Sequence, residues 1–127
     1  MTSEIHLCRA YDACRGAQTI GARLLVDRLW PRGIAKADLP LDAWLREVAP
    51  SAALRKWFGH DPAKWDDFTN CYRDELEQAP VAVGQALVWC RKGAVTLLYG
   101  ARDTRHTHAL VLRDVLRELL QKERTDA

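Results

Sequence analysis

The sequence predicts an α/β fold: a small, mostly parallel sheet of about three core strands packed with helices, in a single compact domain over residues 1–127. Three observations carry the prediction. Residues 22–26 and 94–99 are short, nearly continuous apolar runs, as in strands covered on both faces rather than one. Between them, residues 61–92 repeat apolar side chains at three- and four-residue steps, the spacing of one helix face. The resulting order of strand, strand, helices, strand, helix is that of parallel strands joined by helical crossovers.

Taken in order, residues 4–10 form the first strand, with Ile5 and Leu7 flanking His6. Residues 11–21 hold two glycines among small polar residues and read as a loop. The second strand, 22–26, ends in a turn at Pro31 and Gly33, where proline cannot donate to a ladder and glycine accepts unusual angles. Asp38 then caps a helix bearing Leu41, Trp44, Leu45 and Val48, which Pro50 stops. Ser51 caps a shorter helix carrying Leu54, Trp57 and Phe58, with Gly59 as its terminator. Asp61-Pro62 starts the next, along which Trp65, Phe68, Tyr72 and Leu76 form the stripe. Pro80 restarts a helix that turns Val83, Ala86, Leu87 and Cys90 inward as far as Lys92-Gly93. Residues 94–99 are the clearest strand, 100–107 a polar turn and 109–120 a final helix; the charged end from Gln121 frays.

Composition excludes several classes. Nineteen Lys and Arg against 17 Asp and Glu leave a net charge of +2, too little for bulk attraction to nucleic acid or an anionic membrane. No apolar run approaches the roughly 18 residues of a membrane span, and no basic leader opens the chain. The four cysteines form no Cys-x-x-Cys pair, so reduced thiols in the cytoplasm are expected. There is no Gly-rich phosphate loop, and no cofactor is predicted.

In a parallel sheet the loops after the strands share the carboxyl-end edge, where ligands bind. The first such loop brings Arg9, Tyr11 and Asp12, and the second brings Asp27, Arg28, Trp30 and Arg32. The third brings Tyr99, Arg102, Asp103, Arg105, His106 and His108, and His60 sits in a turn that can face the same pocket. Guanidinium groups hold phosphates and carboxylates in two-pronged fashion, and a carboxylate beside a histidine tunes it for proton transfer. His106 and His108 face the same way only on a strand; a helix starting near Thr107 would part them, so no metal is predicted.

Three segments carry a family resemblance: Val26-Asp27-Arg28-Leu29-Trp30-Pro31-Arg32-Gly33, Leu54-Arg55-Lys56-Trp57-Phe58-Gly59-His60-Asp61-Pro62, and Val95-Thr96-Leu97-Leu98-Tyr99 with Asp103 and His108-Ala109. On these the chain resembles the YeaO-like branch of the domain-of-unknown-function 488 family. The resemblance implies a compact α/β protein without an established reaction, with an acid-arginine pair after the middle strand and polar residues after the last. It departs from the family at Gly100 and Thr107, where relatives often have Ala and Asn, and fits loosely over residues 13–21.

The leading expectation is an enzyme with a pocket for a small phosphate- or carboxylate-bearing molecule or nucleotide. Arg28 and Arg32 bind its anionic group, with Arg9, Trp30, Tyr99 and His60 as further contacts. Asp27 orients an arginine or acts as a base, and His108 with Asp103 transfers protons. One rival is a non-catalytic module binding nucleic acid or protein through Arg28, Arg32, Arg102 and Arg105; the other is a purely structural charge network.

Overall fold

The computed structural model describes residues 4–126. Four strands, β1 (Ile5–Arg9), β2 (Ala22–Leu25), β3 (Ala43–Trp44) and β4 (Val95–Tyr99), form one sheet in the order β1-β4-β2-β3, and every neighbouring pair is parallel. β4 lies at the centre, with Leu97 opposite both Leu7 and Leu24, and all five of its residues are buried. That position explains why its sequence is apolar but for Thr96, whose hydroxyl donates to the Ile20 carbonyl and accepts from the Ile20 amide.

Among the described residues there are also five α-helices: α1 (Ala10–Ala13), α2 (Ala52–Phe58), α3 (Trp65–Glu77), α4 (Pro80–Lys92) and α5 (His108–Asp126). Successive strand residues point to opposite faces, so Leu24 and Leu25 enter different cores. On Leu24's side, Val26, Val95 and Leu97 pack with Phe68, Tyr72, Leu87, Leu112 and Leu116 from the three long helices. On the other side, Leu25 and Leu98 meet a thinner layer of Ala10, Ala13, Ile34 and Leu39. Each fully buried leucine contributes about 1.5–3 kcal/mol, so the first face dominates the stability.

The helix signals hold where they are local. Ser51 accepts from the Leu54 amide and Gly59, at φ 55°, closes α2 in the left-handed region. Asp61 caps a single 3-10 turn that leads into α3. The helix expected from Asp38 is corrected: residues 36–38 and 46–48 are 3-10 turns, and the two-residue β3 lies between them. Pro40 has no amide to donate and forces Leu39 out of helical angles, to φ −136° and ψ 72°. Freed from a helix, Asp42 donates to the Arg23 carbonyl and accepts from the Arg23 amide, which docks the segment on β2. Two smaller differences concern the ends. Ala10, expected to end the first strand, and residues 11–13 of the expected loop make one helical turn instead, and α5 runs past the expected fraying point, where Glu123 pairs with Arg91. No helix among the described residues is long and apolar enough to cross a membrane.

Candidate functional site

β2 and β4 lie side by side and end on the same edge. The Val26 amide still donates to the Leu98 carbonyl at 3.0 Å, so Asp27 is the first side chain beyond the ladder. Its Oδ2 accepts from the Gly100 amide at 2.8 Å, tying the two strand ends together. A Cβ on residue 100 would stand 3.0 Å from that oxygen, a tight approach that the Asp27 carboxylate would have to ease by shifting slightly.

His108 opens α5 above the same point. Its Nε2 lies 3.0 Å from the Val26 carbonyl and 3.4 Å from Asp27 Oδ1. A carbonyl only accepts, so Nε2 carries the proton. Only 14% of the His108 side chain and 21% of the Asp27 side chain reach solvent. Burial pulls the imidazole below its usual value, against the opposing field of Asp27, and raises the Asp27 carboxyl, against His108 and the Gly100 amide. The imidazole is therefore mostly neutral near pH 7, held in one tautomer.

Around this pair lies a cavity of about 300 Å³. Its polar lining comprises Asp27, Arg28, Arg55, His60, His106, Thr107 and His108, and its apolar wall includes Leu29, Pro50, Phe58 and Phe68. Arg28 reaches across the strand end: its Nη2 donates to the Ala49 carbonyl at 3.2 Å, and Nη1 stands 4.0 Å from Glu47. Arg55 projects from α2 and is half-buried. Among the described residues no carboxylate stands within ion-pair distance of it. His60 follows Gly59 with φ 58°, a left-handed conformation that costs a non-glycine residue about 1–2 kcal/mol. It is exposed at the cavity's edge.

The structure brings together Asp27, Arg28, His60 and His108 of the expected set, and it re-pairs the acids. Asp103 was expected beside His108; instead its carboxylate accepts from the Arg105 and His106 amides and bonds His106 Nδ1 at 2.7 Å. These bonds hold the Asp103 carboxyl below its ordinary value. The four-residue turn from Asp103 to His106 closes on itself, whereas His108, already in the helix, meets Asp27. Among the described residues no three potential metal ligands cluster.

The other expected contacts lie elsewhere. Arg9 and Tyr99 stand opposite each other across β1 and β4 and border a separate, shallow depression, with Arg9 Nε donating to the Ala101 carbonyl at 2.8 Å. Trp30 turns to the opposite face, where Nε1 donates to the Ile34 carbonyl at 2.6 Å and the ring meets Trp44 edge-on at 5.6 Å. Arg32 is exposed, and its carbonyl accepts from the Tyr11 hydroxyl at 2.8 Å. None of the four lines the cavity. Sequence reasoning passed over Arg55. Its signal was a cation three residues before Phe58, one turn from an aromatic that is buried.

The family model described as "Inactive DUF488-N3 subclade" matches residues 4–127. The uncharacterized protein YeaO of Escherichia coli is 45% identical over 111 residues, covering 87% of this chain and 95% of YeaO. Uncharacterized proteins of Mycobacterium bovis and Mycobacterium tuberculosis are each 38% identical over 96 residues, covering 76% of this chain and 80% of their own. No solved structure matches. With nearly its whole length matched, the chain belongs to the YeaO-like branch of the domain-of-unknown-function 488 family.

Proposed function

We propose that this protein binds a small phosphate- or carboxylate-bearing molecule in the cavity at the ends of β2 and β4, with Arg28 and Arg55 as the anchors. The observation that carries the reading is Arg55, a half-buried cation lining the cavity with no carboxylate at ion-pair distance among the described residues. A cation withdrawn from water is costly unless paired, and an anionic ligand would be its partner. The carboxyl-end edge of a parallel sheet is also where such ligands commonly sit. The matching family model is described as inactive, which favours binding over turnover. The four free thiols accord with a cytoplasmic setting.

Isothermal titration calorimetry with inorganic phosphate and with acetate tests the reading. Binding of at least one anion, weakened about tenfold or more by Arg55→Ala, is expected. Binding of neither, or affinity unchanged in Arg55→Ala, would overturn it.

The Asp27–His108 contact favours a second reading, in which the pair handles protons on the bound molecule. Asp27 then orients the imidazole and His108 exchanges the proton; Asp103 enters only through His106. This reading requires a bound molecule to be converted, seen as new resonances in a nuclear magnetic resonance time course. Conversion at the same rate in His108→Asn would rule it out.

A further inference from the structure

The arginines define only one pole of the cavity. At its mouth stands Leu29, with 67% of its surface exposed although it lies between the charged Arg28 and the half-buried Trp30. The same cavity is lined by Pro50, Phe58 and Phe68, and the last two stack their rings at 4.4 Å. An isolated exposed leucine is ordinary, but this one lines the same cavity as two buried aromatic rings and two guanidinium groups. Inorganic phosphate or acetate would leave that wall wet. The volume of about 300 Å³ is ample, since an apolar cavity of about 150 Å³ accommodates benzene.

Resting on the anion-binding reading, we infer that the ligand is an oxyanion carried on an apolar, ring-sized body, with the anion at Arg28 and Arg55 and the ring between Leu29 and Phe58. The ring covers Leu29, removing apolar surface from water on both partners, and this contact supplies selectivity that the arginines alone cannot. An oxyanion without the ring meets only the charged pole.

Two matched pairs of probes, phenyl phosphate against inorganic phosphate and benzoate against acetate, are titrated calorimetrically into the wild-type chain. At least one ring-bearing probe should bind about tenfold tighter than its simple counterpart, and the better pair distinguishes a phosphate from a carboxylate head. Leu29→Ser, at an exposed position that should not disturb folding, should reduce that preference, the ratio of the two affinities, about threefold or more. Equal affinities within both pairs overturn the inference, as does a preference that survives Leu29→Ser; in either case binding that still depends on Arg55 leaves the anion reading standing. If no probe of either kind binds, the anion reading fails and this inference fails with it.

Discussion

The two faces of the sheet receive side chains from one short segment, residues 26–33, and use them differently. Towards the long helices, Asp27, Arg28 and Leu29 border an open cavity. Towards the thin layer, Trp30 packs with Ile34, Leu39 and Trp44, and Pro31 is buried behind it. Arg28 and Arg32 have the same side chain and lie four residues apart, yet one borders the cavity and the other stands in solvent. Residue type does not decide the role. What decides it is the point at which the chain leaves the sheet, after which side chains are steered by a proline turn instead of by the pleat. The cavity face therefore keeps polar groups with few partners, and the opposite face has its indole hydrogen bond satisfied.

The comparison can be broken at its root. Gly21 precedes β2 with φ 71°, and a Cβ there would stand 1.9 Å from the Ala94 carbonyl oxygen. Gly21→Ala should therefore cost about 3 kcal/mol or more and loosen both faces together, as read from urea unfolding. Loss below about 1 kcal/mol would mean that β2 is not locked to β4 through this approach.

Separating the faces is the sharper test. Trp30→Ala should lose about 2–3 kcal/mol of stability and leave phosphate affinity unchanged, because the ring packs away from the cavity. Arg55→Ala should do the reverse, changing the unfolding free energy by less than about 1 kcal/mol while weakening anion binding. If both variants lost stability equally, the polar cluster would be a structural network.

A finer contrast is between the two arginines of the segment. Arg28→Ala should weaken anion binding about tenfold, and Arg32→Ala should change it less than about twofold beyond general electrostatics. Equal effects in calorimetry at moderate salt would point to a diffuse field instead of a pocket.

The smallest expected effect is on pH. Because burial lowers the His108 value, its stabilising contribution is complete above the unfolded value near about 6.5 and is lost as pH falls through the folded value. Asp27 has the opposite sign: its raised carboxyl favours the fold below the unfolded value of about 3.9, and that contribution fades as pH rises through the folded value. The difference between wild type and His108→Asn isolates the imidazole, since Asn can still donate to the Val26 carbonyl. Unfolding free energies from pH 7.5 down to about 5 should fall more steeply in the wild type; parallel curves would show that burial does not disfavour the imidazolium.

Local chemistry alone made much of this legible. Ser51, Gly59 and Asp61-Pro62 mark helix ends through bonds between neighbours, and α2 and the turn before α3 start and stop where those residues stand. β2 and β4 could be read from nearly continuous apolar side chains, broken only by Arg23 and Thr96, and their parallel pairing placed Asp27 and His108 on one edge. The segment around Pro40 misled because apolar residues at helical spacing outweighed one missing amide. Its two-residue strand forms only because β2 supplies hydrogen-bond partners.

The sequence by itself determined the α/β class, the central strand, most helix ends and the edge on which polar loops collect, since each rests on contacts within a few residues or on the periodicity of one element. Only the tertiary structure decided that Asp27 and not Asp103 meets His108, that Arg55 joins Arg28, and that Trp30 and Arg32 turn away. Those outcomes depend on partners far apart in the chain, such as Asp27 with Gly100, whose mutual approach is set by how the strands and helices pack. A local pattern carries no information about the distance between two groups until packing has placed the elements that hold them.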